Sequence, residues 1–228
     1  MAASRTDQEA EYDRDATARS ALYAVLARAF DNPDEQFHAA AEDGRLADEI
    51  DTYVDRSSLS IDRPAIGTDD DRKHLSATYN DLFTLGYAEY TDRTDGSLES
   101  EGPPVPLYES NYREASWNDV NVDLARAYDY FGVAVNQERR DHHDNIRLEL
   151  EFAAYLARRE AIGEDDAARA RQDFLDRHLE PFADGLHARI KDVHDGFYAD
   201  VVRLLQNVVA ADLADLEGRH GGDNDVEQ

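Results

Sequence analysis

The stretch from residue 144 to residue 162, DNIRLELEFAAYLARREAI, decides the fold class because its apolar residues recur at the spacing of a helix. Asp144 lies at its start, where an acidic side chain favours a helix N-terminus, and Gly163 follows as an expected end. No segment of the chain has a convincing alternation of apolar and polar residues, the pattern of a strand. The sequence therefore predicts an all-α fold. The inward positions of this helix are predicted to be Ile146, Leu150, Phe152, Ala153, Leu156 and Ile162.

Helical spacing continues on both sides of this stretch. We expect a first helix over residues 7–31, ended by Asn32-Pro33, then a short helix from Asp34, a third after it, and a fourth that ends at Gly86. The first helix presents an apolar stripe of Tyr12, Ala16, Leu22, Tyr23, Leu26, Ala29 and Phe30. The third presents Leu46, Ile50, Tyr53 and Val54.

Further helices follow towards the end of the chain. One carries Val122, Ala125, Tyr128 and Phe131 and ends at Gly132, and another runs up to Pro181. Two more helices are expected after Pro181, and the second of them carries apolar residues up to Leu213. The sequence predicts about eight or nine helices in one globular domain over residues 1–217, with a long loop rich in proline and tyrosine. Residues 218–228 are expected to form a disordered acidic tail.

Charge and composition rule out several classes of function. The 228 residues include 24 basic and 51 acidic side chains, a net charge of −27, which disfavours a nucleic-acid partner. The chain has no cysteine, no apolar run long enough for a membrane span and no secretory signal, so we expect a soluble, cytoplasmic protein. Two of the basic residues are lysine and 22 are arginine, a composition that indicates adaptation to high salt or, alternatively, an ordinary acidic protein.

Residues 87–118 interrupt the helical pattern with prolines, glycines and acidic residues. A loop of this length is usually functional or disordered, and its aromatic residues argue against disorder. Two interpretations remain open from the residues alone: a pre-ordered surface that binds a peptide, or a rigid loop whose tyrosines pack inward. The aromatic residues are Tyr87, Tyr90, Tyr108, Tyr112 and Trp117.

A metal-dependent helical-bundle enzyme is the alternative function. Glu35 and His38 have the Glu-x-x-His spacing of di-iron bundles, although such a site needs carboxylates from other helices. Adjacent histidines diverge by about 100° on a helix, so the run at 141–144 favours helix capping over metal binding. The candidate ligands are Glu35, His38, His142, His143 and Glu149.

Four segments in order along the chain resemble the TorD/DmsD family of redox-enzyme maturation chaperones. They are YNDLFTLG at 79–86, PLYESNY at 106–112, DNIRLELEFAAYL at 144–156 and FLDRHLEPF at 174–182. The first helix, with LYAVLARAF at 22–30, is also similar. The chain departs from the family pattern at Leu107, where a second proline is common, and at Asn145, which stands where the family has histidine.

The resemblance implies a cytoplasmic chaperone that is not an enzyme and carries no cofactor. Its partner would be the catalytic subunit of a molybdopterin oxidoreductase, whose twin-arginine leader it binds until the cofactor is inserted and export can begin. The client could reduce sulfoxide, nitrate or another oxyanion, and the chaperone could be a monomer or a swapped dimer without nucleic acid or stable membrane association. A structural subunit that binds no peptide is a third possibility.

The leader-binding groove is expected between the fourth and sixth helices. An apolar floor would hold the apolar part of the leader, and Asp144, with Glu109 as a second candidate, would receive a guanidinium group. The predicted peptide-binding residues are Leu82, Phe83, Pro106, Tyr108, Glu109, Ser110, Tyr112, Trp117, Asp144 and Asn145.

Overall fold

Helices dominate the computed structural model, which describes residues 12–85, 88–89, 99–100, 102–136, 141–164 and 166–221. A two-residue antiparallel strand pair, β1 (Ala88–Glu89) and β2 (Glu99–Ser100), is the exception to the helical pattern in these residues. The prediction of an all-α fold is confirmed. Nine α-helices lie in the described ranges: α1 (Arg14–Ala29), α2 (Glu35–Glu42), α3 (Arg45–Arg56), α4 (Arg72–Phe83), α5 (Trp117–Tyr130), α6 (Ile146–Ala161), α7 (Ala167–Phe174), α8 (Glu180–Ile190) and α9 (Phe197–Gly221).

Short polar side chains begin most of these helices. Five capping side chains accept hydrogen bonds from backbone N–H groups that have no partner within the helix. Asp34, for example, accepts from the N–H of Phe37 at 2.8 Å. Part of the acidity of the chain is therefore used to cap helices. The five capping residues are Asp13, Asp34, Asp71, Ser116 and Asn145.

The core forms where α6 packs against α1 and α7, and α8 and α9, which pack against each other, complete it. The apolar stripe of α6 predicted from the sequence is buried from Ile146 to Leu156, and so is most of the α1 stripe. Gly132 and Gly163, with φ of 69° and 83°, follow α5 and α6 in the left-handed conformation that glycine tolerates best. Both predicted helix ends are confirmed.

A buried ionic network links α1, α7 and α9. Asp212 is fully buried and accepts from Arg19 Nη1 at 2.6 Å, from the hydroxyl of Tyr23 at 2.7 Å and from Arg171. The two arginines lower the pKa of the Asp212 carboxyl despite its burial, which by itself would raise that pKa. Because the pairs are out of water, salt screens them less than surface pairs.

Three residues predicted to face inward are exposed. Tyr12 precedes α1, which begins at Arg14 rather than residue 7, and it is 63% exposed; residues 1–11 lie outside the described ranges. Val122 is 38% exposed because α5 buries its neighbours Val120 and Leu124 instead. Ile162 is 55% exposed because it lies at the C-cap, beyond the last turn that packs in the core.

Two predicted helix ends are wrong, and one lies outside the described residues. Pro181 does not stop a helix, since α7 continues through a π-helical turn (Leu175–Leu179) into α8. Proline has no N–H to donate within a helix, and the π-helical turn just before Pro181 changes the backbone hydrogen bonding at this point. Helix α9 continues to Gly221, so residues 218–221 are helical where the sequence predicts a disordered tail. Gly86 lies outside the described residues.

Among the described helices, none combines the length and the apolar composition that crossing a bilayer requires.

Candidate functional site

The segment 105–112 is anchored by backbone hydrogen bonds to two helices. The N–H of Val105 donates to the carbonyl of Leu82 at 2.9 Å, at the end of α4. Near the start of α6, the N–H of Ile146 donates to the carbonyl of Leu107 at 3.0 Å. Tyr108 and Asn145 form an isolated antiparallel bridge. The sequence elements that were predicted to meet, the proline-rich segment and the ends of α4 and α6, do meet.

Asp144 orders this segment from inside the protein. Its side chain is fully buried, and its Oδ2 accepts from the N–H of Ser110 at 3.2 Å and from the hydroxyl of Ser110 at 2.6 Å. These bonds hold the 3₁₀ turn Glu109–Tyr112 against α6. Asn145 caps α6, and its side-chain oxygen accepts from the N–H of Arg147 at 3.1 Å. Both side chains therefore have structural partners, and the Asp144 carboxylate is closed off from solvent.

Glu109 and Glu149 form a buried carboxyl cluster with Asp144. Glu109 is fully buried, with Oε2 placed 2.9 Å from Nδ1 of His178 and Oε1 placed 3.1 Å from Nη1 of Arg113. Among the residues that the structure describes, neither carboxyl oxygen of Glu149 has a hydrogen-bond partner. Burial raises the pKa of Glu149 well above its usual value, and the negative charges of Glu109 and Asp144 raise it further.

Tyr112 packs inward rather than towards solvent. Its hydroxyl donates to the carbonyl of Pro106 at 2.8 Å, and its ring centre lies 5.4 Å from that of Phe182. The guanidinium carbon of Arg189 lies 4.9 Å from the ring centre, a cation–π geometry. The ring also occupies the space beside Gly185, where an added Cβ would lie 2.5 Å from it. The sequence analysis did not identify Gly185.

The predicted apolar floor is therefore largely part of the core. Leu82, Phe83 and Pro106 are buried, and Tyr112 is half-buried. For these residues, the interpretation of a rigid loop packed inward describes the structure. The part that remains accessible is an aromatic patch formed by Tyr108, Trp117 and His142. In this patch Trp117 is 51% exposed and its ring lies 5.1 Å from that of His142, which lies 6.1 Å from the ring of Tyr108.

A cleft of about 730 Å³ opens between α1 and α6. Asp141 lies in its wall, and the next residue in the chain, His142, belongs to the aromatic patch, so the cleft adjoins the patch. Arg147 lies in the cleft wall, where it is paired with Asp141 and, through Nη1, with Oε1 of Glu151 at 2.8 Å. The lining of this α1–α6 cleft includes Ala24, Ala27, Asp31, Tyr128, Phe152 and Tyr155.

The candidate metal ligands do not converge. Nε2 of His38 lies 2.7 Å from the carbonyl oxygen of Asp70, and Glu149 lies instead in the buried carboxyl cluster. His142 contacts the aromatic patch, whereas His143 lies beside Tyr128. Within the ranges that the structure describes, no three histidine or acidic side chains are grouped closely enough to hold a metal ion.

Comparison with known proteins decides the family. The family described as "Nitrate reductase delta subunit" matches residues 36–188, which include the segment 105–112 and all of α6. The chain belongs to this family. The described residues of the candidate site lie inside the match, apart from the part of the α1–α6 cleft that α1 supplies.

Three curated relatives of this family member carry the names of assembly chaperones. The perchlorate reductase assembly chaperone protein of Dechloromonas aromatica is 24% identical over 87% of this chain and 90% of its own length. The chlorate reductase assembly chaperone protein of Ideonella dechloratans is 27% identical, over 76% and 77%. The selenate reductase assembly chaperone protein of Thauera selenatis is 29% identical, over 60% and 67%.

A solved structure is also similar. The crystal structure of a redox enzyme maturation protein from Archaeoglobus fulgidus aligns with 85% of this chain and 93% of that chain, at 19% identity and a TM-score of 0.44.

Proposed function

We propose that this protein is an assembly chaperone for a molybdenum-containing oxyanion reductase and binds the twin-arginine leader of the catalytic subunit. The chaperone role is supported by family membership and by three relatives named as assembly chaperones of perchlorate, chlorate and selenate reductases. These relatives are named for assembly rather than catalysis, and the dispersed histidines and carboxylates of the metal-enzyme alternative give it no support.

The α1–α6 cleft is our proposed place for the leader. A twin-arginine leader combines two guanidinium groups with an apolar segment, so its receptor needs carboxylates beside an apolar surface. The cleft has both, since Asp141 and Glu151 adjoin Phe152 and Tyr155. This juxtaposition is the observation on which the proposed site rests.

The predicted site residues then divide into two roles. Tyr108 and Trp117 would contact the apolar part of the leader, because their rings are accessible beside the cleft. Asp144 and Asn145 would act indirectly by holding the segment 105–112 and the first turn of α6 in place. The same supporting role falls to the other residues predicted from the sequence, Leu82, Phe83, Pro106, Glu109, Ser110 and Tyr112.

Arg147 occupies the place that we assign to a leader arginine. Its guanidinium is paired with both Asp141 and Glu151. An incoming leader would therefore exchange one arginine for another at these carboxylates, and the net gain from the ionic contacts would be small. Apolar contacts must then supply most of the affinity, because a micromolar complex needs about −8 kcal/mol.

Calorimetry with a synthetic leader tests this proposal. We expect the protein to bind a leader that retains its arginine pair. Asp141→Asn combined with Glu151→Gln should weaken binding about tenfold, because Arg147 would lose both of its partners and its charge would repel the leader arginines. Glu114→Gln is the matched control, because Glu114 is an exposed carboxylate outside the cleft, and it should leave the affinity unchanged.

Two outcomes would contradict different parts of the proposal. Undiminished binding by the double variant would place the leader elsewhere on the protein. If no leader encoded beside this protein's gene bound the wild-type chain at either about 0.15 M or about 2 M salt, which span weak to strong screening, the proposed leader recognition itself would be wrong.

A further inference from the structure

A second groove, of about 990 Å³, shares Arg158 with the α1–α6 cleft and is otherwise lined by different residues. It is formed by the start of α1, the end of α3 and the end of α6, and its lining is mainly apolar. Two of the lining side chains, Tyr12 and Ile162, are large, apolar and more than half exposed, at 63% and 55%. The floor between them comes from Ala18, Ala21 and Tyr53. Exposed apolar surface of this kind in a soluble domain marks an interaction site.

Three arginines border this groove. Arg14, Arg56 and Arg158 lie on α1, α3 and α6, and all three are exposed. Among the residues that the structure describes, none of the three guanidinium groups has a hydrogen bond or an ion pair with a side chain. The chain as a whole has a net charge of −27, so three unpaired cations around one apolar groove are a local reversal of charge.

Three carboxylates that are close in sequence to residues of the groove are already engaged by other groups. Asp13 caps α1 by accepting from the backbone N–H of Asp15 at 2.9 Å. The Asp15 carboxylate pairs with Arg19 at 2.8 Å. Glu49 accepts from the hydroxyl of Tyr53 at 2.9 Å. The arginines around the groove are therefore available to carboxylates of another molecule.

We propose that this groove binds an amphipathic peptide segment that carries carboxylates beside an apolar face. The apolar face would cover Tyr12 and Ile162, and its carboxylates would pair with the arginines around the groove. A twin-arginine leader has the wrong charge for this place, because its guanidinium groups would meet three others. The inference therefore concerns a different peptide from the leader and does not depend on the proposed leader site.

The probe for this proposal is a pair of synthetic helix-forming peptides about 18 residues long, enough for a stable helix. One has leucines on one face flanked by glutamates, and the other has lysines in place of the glutamates. We expect the glutamate peptide to bind and the lysine peptide to bind about tenfold more weakly or not at all, by fluorescence anisotropy at low salt. Equal binding of both peptides would overturn the proposal.

Two variants locate the binding. Arg56→Gln combined with Arg158→Gln, and separately Ile162→Asp, should each weaken the glutamate peptide about tenfold or more, since all three side chains are exposed and their loss leaves the core intact. The matched controls are Arg72→Gln, an exposed arginine on α4, and Val193→Asp, a side chain 53% exposed elsewhere. Both controls should bind the peptide as the wild type does, and loss of binding in either would contradict the assignment.

Other occupants of the groove would give different results. If decanoate bound there and the glutamate peptide did not, the ligand would be a fatty acid and the proposal would be wrong. If sedimentation showed a dimer that Ile162→Asp dissociates, a second copy of the chain would be the occupant. If the peptide bound only after removal of residues 1–11, the chain's own N-terminal segment would be the occupant. A monomer that binds the peptide at full length supports the proposal.

Discussion

Glu149 is a buried carboxyl group that has no hydrogen-bond partner in the described part of the chain, and it makes the stability of the protein depend on pH. Its pKa is raised in the folded state, so the folded chain keeps this proton above the pH at which the unfolded chain releases it. Each pH unit between the unfolded and folded pKa values then costs about 1.4 kcal/mol of folding stability. The fully protonated group, at lower pH, has no such cost.

Glu149→Gln should therefore stabilise the protein increasingly as the pH rises. The amide keeps the shape of the protonated acid and cannot ionise, so we expect its advantage over the wild type in urea unfolding to grow from about pH 5.5 to about pH 8. Glu114→Gln, at an exposed position, should show no such trend. A difference between wild type and Glu149→Gln that stayed constant with pH would contradict the burial of an unpaired carboxyl at this position.

The supporting role of Asp144 also belongs to the scale of single residues. The local sequence predicts that Asp144 lies at the start of a helix, and in the structure Asp144 directly precedes the N-cap of α6. Its hydrogen-bond partner Ser110 lies 34 residues earlier in the chain. Both the backbone N–H and the hydroxyl of Ser110 donate to the Asp144 carboxylate. A partner at that separation closes off the carboxylate, so its burial could not be predicted from the helix alone.

The contact between α8 and the segment 105–112 is set by one glycine. Gly185 leaves room for the ring of Tyr112, which is held between Phe182 and Arg189 and by its hydrogen bond to Pro106. A methyl group at Gly185 would lie 2.5 Å from this ring. Because several contacts fix the ring, the segment itself must move to accommodate the methyl group.

Gly185→Ala should destabilise the protein although alanine favours helices. We expect the overpacking cost, typically 1–3 kcal/mol, to exceed the gain of about 1 kcal/mol in helix propensity. Gly218→Ala in α9 is the matched control, since a Cβ there meets nothing within 4 Å, and it should stabilise the protein slightly. Thermal unfolding of both variants measures the difference. Equal stabilisation by the two substitutions would contradict the close packing of Tyr112.

Elements whose signals are local were predicted well. Helix α6 has its cap, its apolar stripe and its closing glycine within 20 residues of sequence, and its bounds agree closely with the prediction. The passage from α7 to α8 was predicted wrongly at Pro181, because proline usually ends a helix and the π-helical turn that accommodates it has no local signal. The direction in which Tyr112 faces depends on α8, which is distant in sequence.

At the scale of the whole molecule, charge is distributed unevenly over two clefts. Arginines line both clefts, and Arg158 lines the two of them, but they differ in their carboxylates. Among the described residues, Asp31, Asp141 and Glu151 line the α1–α6 cleft, whereas no carboxylate lines the second groove. The composition gives the net charge of −27 but does not predict how charged side chains are distributed between the two clefts. That distribution results from how α1, α3 and α6 pack. At molar salt the Debye length falls to about 3 Å, so the difference would act mainly through direct contacts.

Trp117 gives the most direct test of the central claim that a leader binds in the α1–α6 cleft and across the aromatic patch. It is the one tryptophan in the sequence and is 51% exposed, so its fluorescence reports on this patch alone. The account predicts that a twin-arginine leader shifts the Trp117 emission to shorter wavelength, saturating at one leader per chain. An unchanged emission spectrum at leader concentrations where calorimetry shows saturation would contradict it.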